Sequence, residues 1–246
     1  MSKIPFPFEG YNEPSPKRIR VLFGGDIVVD TTNALLVWEH VYYPQYYFHK
    51  SDVTMTRLKP STTATAADSS SEIFDLVMGA RRATEAAVVY HSGPLADLVK
   101  IEFDKADAWF EEEEEIFVHP KDPYKRVDVI QSARHVRVEV EGIVLADTQK
   151  PRLLYETGLP VRTYIPKTDV RLDLLEHADL TSACPYKGVA AYYDVNVPSG
   201  KKEGIVWWYR NPTLECADVK GYVAFYDEKV DVFVDDVKVE RPKTHF

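Results

Sequence analysis

The sequence holds two cysteines in 246 residues, Cys184 and Cys216, and no Cys-x-x-Cys pair. That excludes a disulfide framework and a structural zinc ribbon. It has no Gly-rich nucleotide loop and no Ser-His-Asp signature, so neither nucleotide chemistry nor serine hydrolysis finds a motif. No apolar run is long enough to cross a bilayer, and the opening stretch "MSKIPFPFEGYNEPSPKR" lacks the apolar core of a secretory signal. Basic residues are outnumbered, with 30 Lys+Arg against 39 Asp+Glu and a net charge of −9. A phosphate-binding surface needs the opposite balance, so nucleic acid is not an expected partner. These absences together predict a cytoplasmic protein with reduced thiols and no membrane partner.

What is present favours strands. Hydrophobic residues make up 45% of the chain, with fifteen Tyr and eleven Phe. The chain also repeats itself. "GGDIVVDTTNALLVWEH" (24–40) aligns with "EGIVLADTQKPRLLYET" (141–157), and "YFHKSDV" (47–53) with "YIPKTDV" (164–170). The offset is constant, since 147 − 30 and 169 − 52 are both 117. Further on, Asp75 aligns with Asp194, Tyr90 with Tyr209, Lys105 with Lys229 and Asp107 with Asp231. A fixed period of this length marks two copies of one structural unit.

The repeat settles one ambiguity. "SSSEIFDLVMGARRATEAA" opens like a helix capping box, Ser69-x-x-Glu72. Its partner "AYYDVNVPSGKKEGIVWW" alternates and breaks at Pro198-Ser199-Gly200, which reads as a hairpin. Both regions are therefore two strands and a turn. The prediction is an all-β chain of two antiparallel modules, with a short helix only near "PTLECADV". Residues 1–17 form an arm, 18–119 a first module, 120–134 a surface linker and 135–246 a second module. The modules are expected to pack on each other about a pseudo-twofold axis.

The order "VRVEVEGIVLADT", "RLLYE", "RTYIPKTDVRLDLLE", "TSACPYKGVAAYYDV", "WWYRNP" and "GYVAFYDEKVDVFVD" closely resembles the family known as domain of unknown function 427. The second module matches throughout, and "CPYKG" is the specific element. The first matches at "GGDIVVDT", "LLVWEH", "YYFHKSDV" and "ADAWFEE". The resemblance implies a compact, tent-like β domain, often in one or two copies. The family's usual His before the Cys is Ala183 here, so no role of that His carries over. The nucleotidyltransferase label sometimes attached to the family finds no support, because no Gly-Ser pair precedes paired carboxylates.

Candidate chemistry centres on "TSACPYKG". Its counterpart in the first module, near 62–69, places Thr65, Ala66, Ala67 and Asp68 where Cys184, Pro185, Tyr186 and Lys187 stand. Loss of all four in one copy argues for a role beyond the fold, and the alternative is the exchange of one turn for another. A Lys187 shielded by aromatics would have a lowered pKa and act as a proton shuttle or nucleophile, and if charged it would bind an anion. Cys184 is either a thiolate beside it or an inert buried thiol. Glu39 and Glu156 end apolar runs in both copies. The preferred reading is a shared structural bond, to Lys50 and Lys167 or to backbone. The sharper one makes Glu156 a general base beside Lys187. Asp52 and Asp169 read as turn residues bonding their own backbone.

Tyr164, Tyr186, Tyr192, Trp207 and Tyr209 are the expected lining of a pocket. The adjacent Trp207 and Trp208 must face opposite sides of a strand. His40, His49 and His91 occur only in the first module, where Thr157, Pro166 and Arg210 are their partners. His40 and His91 could complete a composite pocket with the second module. No ligand spacing recommends a metal site. "EEEEE" (111–115) reads as a solvated acidic hairpin. The functional expectation is a small-molecule-binding protein without cofactor or metal. Proton transfer of the lyase, isomerase or cyclase type would need only Lys187, Glu156 and a nearby Tyr, with Cys184 a further catalytic candidate, and the alternative is a non-catalytic binding or scaffold module.

Overall fold

A computed structural model describes residues 6–64 and 69–244. The chain divides into two compact units, residues 1–122 and 123–246. In the first, strands are β1 (Asn12–Pro14), β2 (Ile19–Phe23), β3 (Asp26–Thr31), β4 (Leu35–Val37), β5 (Gln45–His49), β6 (Leu58–Pro60), β7 (Ser71–Met78), β8 (Arg81–Tyr90), β9 (Leu98–Ile101), β10 (Ala108–Glu111) and β11 (Glu114–Ile116). The second repeats them as β12 (Val127–Gln131), β13 (Val136–Val140), β14 (Ile143–Thr148), β15 (Arg152–Glu156), β16 (Arg162–Pro166), β17 (Leu175–Cys184), β18 (Gly188–Val197), β19 (Gly200–Tyr209), β20 (Tyr222–Phe225), β21 (Asp231–Val234) and β22 (Val237–Lys238).

Each unit pairs a seven-stranded sheet with a four-stranded one, and the orders correspond: β1-β4-β5-β9-β8-β7-β6 with β12-β15-β16-β20-β19-β18-β17, and β11-β10-β2-β3 with β22-β21-β13-β14. Every pairing between these strands is antiparallel, so the chain is all-β with two homologous modules. Turn chemistry fits the sequence. Gly24-Gly25 joins β2 to β3 and Asp235-Asp236 joins β21 to β22, all four with positive φ, as tight hairpins require.

Several boundaries differ from the sequence reading. The arm contains β1, and the presumed linker contains β12. Asn12 pairs with Val37 and Val129 with Leu154, so both are the edge strand of their own large sheet, again 117 residues apart. Pro and charge at the ends of these segments masked the short strand between. The last block is out by one residue. Trp109 stands opposite Val21 and Val232 opposite Val138, which makes Ala108, not Asp107, the match of Asp231. "PTLECADV" forms a 3-10 turn over Leu214–Val219. The turn equated with the Cys-Pro-Tyr-Lys motif, residues 65–68, lies outside the described residues. Glu111 of the acidic run is buried, bonded by Lys17 and by the Tyr46 hydroxyl, and only the rest of the run is a solvated hairpin.

The two most constant sequence blocks meet in space. Thr31 Oγ1 donates to Asp52 Oδ2 at 2.7 Å, and Thr148 Oγ1 to Asp169 Oδ2 at 2.6 Å. Asp52 and Asp169 therefore fasten the small sheet to the turn after the third strand of the large one, rather than capping their own backbone. Isolated bridges Val29–Val53 and Ala146–Val170 stand beside these bonds. Burial works against the Asp169 charge, but Thr148, Thr168 and Lys150 outweigh it and hold the carboxyl below its ordinary range. Its stabilisation is present above the unfolded carboxyl's titration and lost as pH falls through the lower folded value. Thr148→Val should cost the second unit about 1.5–3 kcal/mol in urea unfolding at neutral pH, the usual worth of a bond to a charged group. The deficit should shrink in acid.

Candidate functional site

The large sheet of the second unit buries both faces. Ile165, Tyr193, Val195, Val206, Val223 and Phe225 pack inward with the small sheet's Val136, Val138 and Leu145. Leu154, Tyr164, Tyr192, Trp207, Tyr209 and Ala224 form a second cluster with Cys216 and Val219 of the 3-10 turn. Trp207 thus belongs to the outer cluster and Trp208 packs at the edge of the inner one.

The "CPYKG" bend lies at the edge of the outer cluster. Cys184 pairs with Gly188, and Pro185, Tyr186 and Lys187 close the hairpin. Gly188 has φ +99°, and a Cβ there would sit 3.0 Å from the Asn211 carbonyl, so the position requires glycine. Thr213 ties the bend to the 3-10 turn, donating Oγ1 to the Tyr186 carbonyl at 2.5 Å and its amide to the Lys187 carbonyl at 3.3 Å. Lys187 Nζ points inward and pairs with the Glu156 carboxylate, the two side chains being 14% and 7% exposed.

The expected lowering of the Lys187 pKa does not occur. Burial opposes the charge, but Cys184, Glu156 and Cys216 together outweigh it and raise the amine above its ordinary value. It is a fixed ammonium. Burial pushes the Cys216 thiol up to about 11, with Lys187 only partly offsetting it, so this thiol is inert at neutral pH. Burial likewise raises Tyr164 and Tyr209. Trp207 Nε1 donates to Tyr164 Oη at 3.1 Å, and Tyr192 Oη lies 2.7 Å from Ser182 Oγ. Cys184, Lys187, Glu156, Tyr164, Tyr192, Trp207 and Tyr209 are therefore brought together, mostly buried, and Tyr186 is buried in the adjoining bend.

The first unit explains the loss of the motif there. Tyr47 Oη donates to Glu39 at 2.8 Å, as its counterpart Tyr164 stands near Glu156, and Lys100 Nζ reaches Glu39 at 2.9 Å. Lys100 pairs across from Tyr47, where Ala224 pairs across from Tyr164. Both units thus give the glutamate an amine, one from a strand and one from the bend. The partners are Lys100 and Lys187, not Lys50 and Lys167, because both of those follow the third strand of the large sheet. Lys50 bonds Asp97 and Lys167 bonds Tyr193. Each unit thus carries a glutamate–lysine pair at the same place in its large sheet.

His40 and His91 fall in the first unit. His40 Nδ1 accepts the Tyr42 amide and its ring meets Tyr43 edge-on, while His91 lies 3.6 Å from Glu72. Among the described residues no three His, Cys, Asp or Glu side chains gather as metal ligands.

Sequence reasoning missed a cleft between the two sheets of the second unit, with a volume of about 490 Å³. Leu153, Tyr155, Thr163, Val232 and Val234 line it, with Asp227 at one wall and Arg134, Lys238, Glu240 and Arg241 also in the lining. Matched positions in the first unit are filled. Trp38 stands for Tyr155, Tyr46 for Thr163, Trp109 for Val232 and Glu111 for Val234, by strand pairing. Trp38, Tyr46 and Trp109 are buried, with Trp38 Nε1 bonded to Asp122 at 3.2 Å, whereas Tyr155 is 41% exposed. Asp227 Oδ2 accepts from Arg162 at 3.3 Å. Burial raises its carboxyl to about 6, against the pull of Arg162. Neighbouring Glu228 is also opposed by burial, but its Arg162 bonds outweigh this and hold it at about 2. A shallower cleft of about 420 Å³ opens on the outer face, lined by Tyr192, Asp194, Tyr226 and Lys229.

The buried pair gives a direct test. Lys187→Met strands Glu156 and should cost the second unit about 3–5 kcal/mol in denaturant unfolding. Adding Glu156→Leu should recover most of it, and a double variant no more stable than the single one removes the pair's structural role.

No curated protein matches the chain. The sequence profile described as "Domain of unknown function (DUF427)" matches residues 12–112 and again 128–236, one span in each structural unit. The two spans take in β1 and all but the first residue of β12, an edge strand of each large sheet. The chain belongs to the DUF427 family, as two tandem copies of its domain.

Proposed function

We propose that the chain is a small-molecule-binding protein and that its second unit holds the ligand, in the cleft between the sheets. One observation carries this reading. The two units share strand order and register, yet the space that Trp38, Tyr46 and Trp109 fill in the first is open in the second. Its volume of about 490 Å³ is that of an ordinary ligand site. Valine, leucine and tyrosine supply half of the lining, which suits a ligand with an apolar body, and Asp227, with Arg134, Lys238, Glu240 and Arg241, supplies charged contacts.

Proton-transfer chemistry, if the ligand is a substrate, falls to Asp227 rather than to Lys187. Burial holds Asp227 at about 6, where a carboxyl can both take and return a proton near neutrality. Lys187 is fixed as a cation and is largely buried. The non-catalytic reading uses the same cleft, with Asp227 as a hydrogen-bond acceptor only.

N-phenyl-1-naphthylamine, a neutral aromatic dye with one N–H donor, tests the site by fluorescence. It should bind the folded protein, and Val232→Trp, which restores the first unit's residue, should reduce affinity at least about tenfold, the loss of roughly 1.4 kcal/mol. Circular dichroism and the melting temperature should stay unchanged. Affinity should rise as pH increases through about 6, because the acceptor is the ionised form, and Asp227→Asn should flatten that profile. Equal binding by Val232→Trp would place the dye elsewhere and remove the reading.

A further inference from the structure

Beyond the far end of β16 from the cleft, the second unit has lost two carboxylates and kept the basic residues that stood beside them. Strand pairing gives the equivalences. Lys50 and Lys167 follow the same strand, and their amides donate to the Asp97 and Gly221 carbonyls, each at 3.1 Å. Glu72 stands opposite Val89 in the first large sheet and Ala191 opposite Trp208 in the second. Ala191 therefore replaces Glu72, Trp208 replaces Val89 and Arg210 replaces His91.

In the first unit each base has its acid. Lys50 Nζ lies 3.2 Å from Asp97, and His91 lies 3.6 Å from Glu72. In the second unit both acids are gone, to Gly221 and Ala191, and the histidine has become an arginine, which is always charged. Asp169, two residues from Lys167, is engaged by Thr148, Thr168 and Lys150. Among the described residues neither Lys167 nor Arg210 has a carboxylate partner. Acids outnumber bases by 39 to 30 in this chain, so two neighbouring cations without one stand out against its composition.

The two charges share one aromatic floor. Lys167 Nζ lies 3.1 Å from the centre of the Trp208 ring, and the Arg210 guanidinium carbon lies 5.6 Å from the same centre. They are no further apart than those two distances laid end to end, a span that one group with several oxygens can bridge. Arg210 is exposed and Lys167 partly so, which opens both to a ligand from solvent. The indole face and the Tyr193 oxygen, 3.0 Å from Nζ, favour the ammonium form of Lys167. Burial and then the Arg210 charge work against it. An anion placed between the two cations turns that repulsion into two attractions. Tyr193 Oη accepts from the lysine, and its own O–H has no acceptor among the described residues.

We infer that Lys167 and Arg210 form a binding site for the phosphate group of a small-molecule ligand. The guanidinium fork takes two phosphate oxygens, the ammonium takes a third as a point charge, and the Tyr193 hydroxyl is an additional donor beside it. Two cations match a phosphate dianion better than a singly charged carboxylate. No residue of the cleft takes part, so this site stands or falls apart from the ligand reading above.

Inorganic phosphate and phenyl phosphate are the probes, titrated into the intact chain at neutral pH and constant ionic strength and followed by amide NMR. The amides of Lys167, Tyr193, Trp208 and Arg210 should shift together on one saturable curve. Ala191→Glu and Gly221→Asp each restore an acid of the first unit and should weaken binding at least about tenfold, the worth of one charge-assisted bond. Gly221→Asp is compatible with the fold, because a Cβ there meets nothing within 4 Å and Asp97 holds the same positive φ in the first unit. Arg210→Ala removes the guanidinium independently and should cost as much. Phenyl phosphate binding more tightly than inorganic phosphate identifies the ligand as a phosphate ester, and equal affinity identifies it as the free ion. Benzoate binding as tightly as phenyl phosphate overturns the inference. So does the lack of a saturable shift at these four amides, or phosphate affinity that Gly221→Asp and Arg210→Ala leave unchanged.

Discussion

Each unit must bury both faces of one large sheet with little material to cover them. A four-stranded sheet serves the inner face of each. On the outer face of the second unit the 3-10 turn at Leu214–Val219 contributes Cys216 and Val219. The threonine–aspartate bonds, Thr31 to Asp52 and Thr148 to Asp169, fix how the small sheet meets the large one. With that junction in place, positions elsewhere on the two sheets differ in size and charge between the copies. The clefts and clusters described above are the product of that variation.

The units have diverged in a consistent pattern. The first has turned its matched positions into filler, with aromatic rings and a buried Glu111 where the second has valine and threonine. It has kept the carboxylate of Asp97 beside Lys50, whereas the second has glycine and a tryptophan floor. The first difference removes packing from the second unit, and the second exchanges an ion pair for an indole face and a phenol hydrogen bond. Sites for ligands and reactive groups arise where a fold forgoes packing and pairing of this kind. The first unit, with these positions filled, is the reference against which those omissions can be read.

Much of the fold was legible in the sequence because repetition is robust to local ambiguity. The 117-residue offset united segments whose individual patterns were weak, and it overruled the capping-box signal at Ser69 in favour of a strand. The edge strands β1 and β12 escaped because three to five residues flanked by proline and charge carry little periodicity. The aromatic outer cluster and the Cys184–Lys187–Glu156 grouping were found from composition and copy-to-copy loss. The direction of the Lys187 pKa was not, because it depends on three neighbours from three segments, and one of them, Cys216, comes from the 3-10 turn. The cleft was invisible for the same reason. It arises from volume lost at Tyr155, Thr163 and Val232, on three strands, and no stretch of sequence records it.

The exchange of Lys187 for Lys100 bears on how such duplicated chains drift apart. A carboxylate anchored in the sheet accepts its counter-ion from whichever backbone segment happens to reach it, so ancestry preserves the charge balance and not the residue that supplies it. Column-by-column comparison of the copies scores this as decay of a motif, when the electrostatic ledger of the site has been conserved by substitution at a distance. Grafting the second unit's bend onto the first would therefore crowd two ammonium groups around Glu39, and the transplanted motif would fail in the very scaffold from which it was lost.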